Sequence, residues 1–302
     1  MNKPRQSEPI GARSAQAVPA SSRGPSLLRR SLGQPRMWVG LVFTVFVLLI
    51  ALVGPLVAPH KAGELVGAPF QGPSAGLYLG TDYLGEDVFS RILLGGWTVV
   101  WMSLAGTILG VGGGTLVALL AGYSRSVMDN ILMRIMDIFR AFPVIVLVLL
   151  FTSMIGPKGW VIVLVVGLAW MPQTAQVMRG ATVEVVAQEY VQAAESLGVP
   201  RRQILGREVL PNIVTPLMVE FGLRLTWSIG LVAAISFLGQ GLQPPAADWG
   251  LMINQNRQGL AIQPWGVLVP VLLIAVLTVG TNLMTEGLAR TVALVSRREK
   301  TA

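Results

Sequence analysis

Cysteine is absent from the 302 residues, and histidine occurs once, at His60. No disulfide framework, thiolate metal site or His-Glu-x-x-His zinc pair can be assembled from such a chain, so no metal is expected on it. A Gly-x-x-x-x-Gly-Lys-Ser/Thr phosphate cradle is also missing, which excludes ATP binding through that motif. No nucleophile–base pair stands out, and the chain reads as a non-catalytic protein. Charge is scarce as well. Only 13% of residues are charged, against roughly 25% in an average soluble domain. Strict polar–apolar alternation over roughly ten residues, the mark of a membrane β-barrel, is not found.

What is abundant is apolar sequence. Hydrophobic residues make up 53% of the chain, with 34 glycines and 12 methionines. The net charge is +8, yet the basic residues sit at the margins of apolar runs rather than on one soluble face. That pattern speaks for a lipid membrane and against a nucleic-acid partner. The fold class is therefore all-α, a polytopic membrane protein.

Residues 1–36 are rich in Pro, Ser, Gly and Arg and read as a partly disordered tail. Leu27 to Leu32 has the makings of a short amphipathic turn. Its Arg29-Arg30 pair fits a positive anchor better than an export signal, because the apolar run that follows is not a short cleavable core. Six apolar segments reach the roughly 20 residues that a helix needs to cross a bilayer, near 37–58, 95–121, 137–156, 159–178, 213–239 and 265–287. They form one six-span domain over 37–290, followed by a tail at 291–302. The tight Gly156-Pro157-Lys158-Gly159 turn joins the third and fourth spans, and a re-entrant pair is the alternative there. With the N-terminus inside, the outer regions hold only Lys61, Arg91, Lys158 and Arg257. Every other Lys and Arg except the in-span Arg224 falls inside. The positive-inside rule then puts both termini in the cytoplasm.

The second span carries Gly106, Gly110, Gly114, Ala118 and Gly122 at four-residue spacing, a smooth stripe for close helix approach. Packing within the chain and contact with another subunit both fit it. In the fifth span, Arg224 lies about 16 Å along the helix from Ile213. A charge at that depth faces protein or water, lining a solute path or pairing with Glu220 one turn away. Asp137 and Arg140 are placed to pair at a span end, and Glu286 to reach cytoplasmic water.

The longest inner connection, 179–212, is the most informative stretch. Helix is expected from Gln188 to Leu197, with Tyr190, Ala193, Ala194 and Leu197 on one face. Gly198 supplies a helix stop, Pro200 begins a second short helix at its first position, and Pro211 ends that helix before the fifth span. Physics alone also allows a solvated loop. The residue order Glu189-Tyr190-Val191-Gln192-Ala193-Ala194-Glu195-Ser196-Leu197-Gly198, followed by Leu210-Pro211-Asn212, resembles the EAA loop of bacterial ABC importer permeases. Gln192 stands where Glu is usual, and Glu208 where an aliphatic residue is usual.

Two more stretches resemble permeases of the dipeptide, oligopeptide and nickel type. One is Leu79-Gly80-Thr81-Asp82-Tyr83-Leu84-Gly85-Glu86-Asp87-Val88-Phe89-Ser90-Arg91, with Glu86 in place of the usual Arg. The other is Ser236 to Gly241, Gln243-Pro244-Pro245 and Trp249-Gly250. The resemblance covers roughly 37–290 and is to the second permease of such systems.

The resemblance implies the type I ABC importer permease fold, with six spans and a cytoplasmic coupling helix, in a bacterial inner membrane. It implies a homologous permease partner, two cytoplasmic ATPase subunits that hold ATP and Mg, and an extracytoplasmic solute-binding protein. It also makes 179–212 the ATPase-coupling loop. Dipeptides, oligopeptides, glutathione-like peptides and nickel chelates are all solutes of such systems. From their own charges, Asp82, Glu86, Asp87 and Arg91 are expected along a short surface helix, as a docking surface for the binding protein or as a structural lid. The competing reading is an ATPase-independent secondary transporter or channel, which predicts inverted repeats and polar midplane sites.

Overall fold

The computed structural model describes residues 34–124 and 127–301, with side chains to residue 291. The 27–32 turn, Arg125 and the basic residues of the C-terminal tail lie outside the described side chains. Five helices are long and apolar enough to cross a membrane: α1 (Pro35–Val57), α2 (Val88–Ser124), α5 (Gly159–Val186), α7 (Arg201–Phe237) and α9 (Trp265–Thr301). Between α2 and α5 lie α3 (Val127–Ala141) and α4 (Val144–Ile155). The short α6 (Glu189–Ser196) precedes α7, and α8 (Trp249–Asn256) lies between α7 and α9. Among the described residues there are isolated β-bridges but no strand.

The third span differs from the expected continuous helix over 137–156. α3 and α4 meet at an angle of 81°. Pro143 is the cause: its ring pushes Phe142 out of the helical region, α3 stops at Ala141, and α4 restarts with Pro143 as its N-cap. The apolar run conceals this, because hydropathy does not register a backbone break. The 12 residues of α4 rise only about 18 Å, short of a bilayer core by themselves.

Lipid is as apolar as leucine, so packing rather than hydrophobic exclusion must join these helices. The glycine stripe supplies it within the chain. A Cβ on Gly110 would lie 2.8 Å from the carbonyl oxygen of Gly167, and one on Gly114 would lie 2.6 Å from that of Met171. Gly106 and Gly122 press equally closely on Val166 and Thr182. All four neighbours belong to α5, so the stripe is a helix–helix seam inside the chain. The hydroxyl of Thr107 donates to Ser228 Oγ (2.8 Å), tying α2 to α7.

The remaining expected pairs are partly rearranged. Asp137 and Arg140 do not pair directly; Gln176 of α5 stands between them, accepting from Arg140 and donating to Asp137 (3.1 Å). Asp129 instead takes Arg179 in a two-pronged ion pair. Glu286 joins Arg36 (3.1 Å) and Arg290 (2.5 Å) on a half-exposed surface.

Candidate functional site: a capped knob, a buried ion cluster and a mid-helix charge

Three groups of predicted residues occupy three levels of the bundle. At one end is the 187–210 segment. α6 begins after Gln188 and closes with Gly198 at φ +75°. The Val199 N–H donates to the Ala194 carbonyl (3.1 Å) and the Gly198 N–H to that of Glu195 (3.0 Å). These two bonds form a Schellman stop, and it needs the left-handed backbone that glycine adopts without strain. Val191 is fully buried and Ala194 half-buried, packed with Ala118, Met178, Val186, Ile204, Val209 and Ile213. The loop thus borrows its core from the helix ends beneath it.

That packing draws Ala194 out of the expected face and leaves its other three members outward. Tyr190, Ala193 and Leu197 are exposed, Leu197 at 82%, as are Glu189, Gln192 and Glu195. Arg201 lies over the Tyr123 ring at 5.9 Å from its centroid.

Two prolines behave differently from expectation. Pro200 is the N-cap of α7 rather than its first residue. Pro211 does not end the helix. α7 runs from Arg201 to Phe237 through a π-helical turn at Leu205–Val209. A proline inside a helix lacks its own donor and collides with the carbonyl four residues back. A wider π turn just before Pro211 relaxes that register. The connection expected at 179–212 is therefore mostly helix, with α5 reaching Val186 and α7 starting at Arg201.

At the opposite end, Asp82, Glu86, Asp87 and Arg91 are buried, at 0%, 6%, 2% and 3% exposure. A docking surface needs exposed side chains, so the expectation that these four form one is overturned. They are an interior ion cluster. Arg91 pairs with Asp82, approaches Glu86 Oε2 (3.5 Å) and donates to Gln255 Oε1 (3.0 Å). Asp82 Oδ1 also accepts the N–H groups of Leu84 and Glu86 (2.9 Å each). Asp87 caps α2 by accepting from the backbone of Phe89 and Ser90, and it meets His60 Nδ1 at 3.1 Å. Its capping explains why α2 begins at Val88, seven residues before the expected span.

Sequence reasoning missed the partners of this cluster. Gln255 is one. Asn256 accepts the Tyr83 N–H (3.0 Å), and Gln263 donates to the Leu79 carbonyl. The fully buried Trp249 donates its indole N–H to the Ile92 carbonyl (2.8 Å) and rests on Gly95 and Gly96. These residues lie more than 150 positions from their partners, and no local pattern links them.

At the middle of α7, Arg224 and Glu220 form an ion pair (2.6 Å). Thr174 of α5 donates to the same Glu220 oxygen (3.1 Å), and the Arg224 guanidinium lies 5.5 Å from the Trp170 ring centroid. Arg224 donates to Glu220 through Nε alone; its two terminal nitrogens have no hydrogen-bond partner among the described residues. No cluster of metal-ligating side chains occurs among the described residues.

A long-helix bundle with a capped knob at one end narrows the family, and comparison with known proteins decides it. Residues 114–294 match the family described as binding-protein-dependent transport system inner membrane component. The chain belongs to this family. It is a permease subunit of an ABC importer. The permease is 34% identical over 262 residues to the glutathione transport system permease protein GsiD of Pectobacterium atrosepticum, covering 86% of this chain and 87% of the relative. It is 30% identical over 275 residues to a protein of Brucella suis described as a peptide transport system permease, covering 90% and 93%. Among solved structures, it matches an inward-facing MetNI methionine ABC transporter with a TM-score of 0.52 and 18% identity. That match covers 66% of this chain and 96% of that one. The likeness is one of fold.

Proposed function

We propose that this permease carries short peptides, glutathione-like tripeptides among them, into a bacterial cell. Its α6 knob is the element that couples transport to ATP hydrolysis. In this reading both termini and the knob face the cytoplasm, as the distribution of Lys and Arg favours. A homologous permease completes the pore, two ATPase subunits hold ATP and Mg beneath the knobs, and a solute-binding protein delivers from the other side. The solute class is supported by the names of the two relatives.

One observation carries the coupling role. α6 is fastened by Val191 and Ala194 yet turns Tyr190, Ala193 and Leu197 outward. An 82% exposed leucine on a rigid, capped helix outside the spans suits a partner's groove better than water. ATPase closure pressing on α6 would pass into α7, whose first turns share the same packed cluster.

The test uses Ala193→Asp and Leu197→Asp, which charge the exposed face without touching Val191 or Ala194. The complex is purified through a tag on this chain and scored for bound ATPase subunits and ATP hydrolysis. Loss of the ATPases from a chain that still inserts and keeps its melting temperature is the expected result. Full retention of both would remove α6 from the coupling role.

A further inference from the structure

A groove of about 620 Å³ opens on the flank between α2 and α7, and apart from Thr115 its lining side chains are all apolar. Its limits are Ile108 and Leu119 on α2, and Leu210 and Phe221 on α7. Each pair of limits lies about 16 Å apart along its helix, roughly half of a hydrocarbon core of about 30 Å. The groove begins at the knob end of both helices and stops near mid-helix, so it matches one leaflet in depth. Ile108, Leu116 and Met218 in its wall are each more than half exposed, which leaves it open along the side of the bundle. Charge at its mouth is one-sided. Arg207 stands one turn before Leu210 on α7, and Arg202 lies earlier on the same helix. Both are exposed, and neither has an ion pair or hydrogen bond among the described residues. The adjacent Glu208 pairs with neither, and Arg201 is already engaged over the Tyr123 ring.

An apolar trench one leaflet deep calls for hydrocarbon, and two unpaired guanidinium groups at its mouth call for an anion. A phospholipid with a net negative headgroup answers both. A partner helix would fill the trench but leave the arginines without a counter-ion. We infer that the α2–α7 groove is a binding site for an anionic phospholipid, with one acyl chain in the groove and the headgroup on Arg202 and Arg207. Leu119, Leu210 and Leu217 line this groove and also pack in the cluster that holds Val191 of α6. A bound chain therefore extends the packing beneath the knob, and the lipid steadies α6 from the membrane side. The inference goes beyond the transport reading, and it uses neither the solute nor the direction of transport.

The complete complex with its partner subunits is placed in nanodiscs of phosphatidylcholine and phosphatidylglycerol in equal parts. A photoactivatable diazirine is carried on the acyl chain of one lipid or the other. Both leaflets then hold the same mixture, so the result does not depend on which end of the bundle faces the cytoplasm. Cross-links mapped by mass spectrometry should fall on residues 108–119 and 210–221. Phosphatidylglycerol should lead by about fivefold for each arginine engaged. The double variant Arg202→Gln, Arg207→Gln should bring the two lipids level. Gly112→Leu fills the groove at a position where a Cβ meets nothing within 4 Å. It should remove the cross-links of both lipids while the melting temperature holds. Amide exchange over α6 should be slower in phosphatidylglycerol discs than in phosphatidylcholine discs, and equal exchange overturns the tie to the knob. Equal cross-linking by the two lipids in the wild type would reduce the groove to ordinary boundary lipid. No cross-linking at all would mean that a partner helix covers it. Either result overturns the proposal, as does a preference that survives the double variant. The importer reading fails separately, if the wild-type complex shows no ATP-dependent uptake in vesicles, and lipid binding would then still stand.

Discussion

Arg91→Met is the sharpest perturbation the structure offers. Arg91 sits between two buried carboxylates, Asp82 and Glu86, with a third polar contact to Gln255. Removing it leaves two like charges buried without a counter-ion. Breaking a buried ion pair from one side costs about 3–5 kcal/mol. Asp82 keeps two backbone N–H donors, which places the cost near the lower end. A loss of about 3 kcal/mol raises the open population of this region by about two orders of magnitude. Arg36→Met is the internal control: its pair with Glu286 is half-exposed, 53% and 38% at the side chains, and should matter by about 0–1 kcal/mol. Limited proteolysis of the 58–87 segment in the purified protein reads the opening, and hydrogen exchange at the same amides checks it. Adding Asp82→Asn and Glu86→Gln to Arg91→Met should recover most of the loss, because the charges go with their partner. Equal protease sensitivity in Arg91→Met and Arg36→Met would refute the reasoning, and so would a triple variant worse than the single one.

Two further outcomes are expected. Gly114→Ala drives a Cβ into the backbone of Met171 and Ala175, neither of which can yield, and should cost about 1–3 kcal/mol. Gly112→Ala meets nothing within 4 Å and should gain up to about 1 kcal/mol from helix propensity, so melting in detergent should shift in opposite directions. Asp248 is fully buried as the N-cap of α8, and burial raises its carboxyl above the usual range. A raised folded-state value favours the neutral form. Its stabilisation is complete below about pH 4 and fades as pH rises through the folded value. Asp248→Asn keeps the cap and removes the titration, so the variant's advantage in melting temperature should grow between acid and neutral pH. A constant difference across that range would contradict this.

The spans were legible because composition and hydropathy dominate them, and the stop at Gly198 was legible because positive φ leaves few residues to choose from. The bend at Pro143 was hidden in a continuous apolar run, and the passage of α7 through Pro211 depends on a π turn that no sequence period announces. Asp82 to Arg91 looked like surface because charges usually are. Their burial is set by Gln255, Asn256 and Gln263, far along the chain, which close over them only when the bundle is assembled. The Glu220–Arg224 spacing was visible, but Trp170 and Thr174 beside it were not, since they arrive from α5. Local chemistry writes caps and periods into the sequence, whereas burial of polar groups belongs to tertiary contacts.

The π turn bears on how the knob and the mid-membrane charge could act together. Had Pro211 ended the helix, α6 would hang from a flexible joint, and motion there would dissipate before reaching the membrane. Instead the chain from Arg201 to Phe237 is one helix. Its lower turns bury Ile204, Val209 and Ile213 against the same cluster that holds Val191 of α6, and its middle carries Glu220 and Arg224. A rigid displacement of α6 therefore has a continuous mechanical route to Arg224. On α5 the route is parallel: Met178 and Val186 join the knob cluster, while Trp170 and Thr174 touch Arg224 and Glu220. The glycine seam holds α5 against α2, so α5 does not slide freely. Relative movement of α7 against that fixed pair would then be felt first where the two helices exchange polar contacts, at Thr174, Glu220, Arg224 and Trp170.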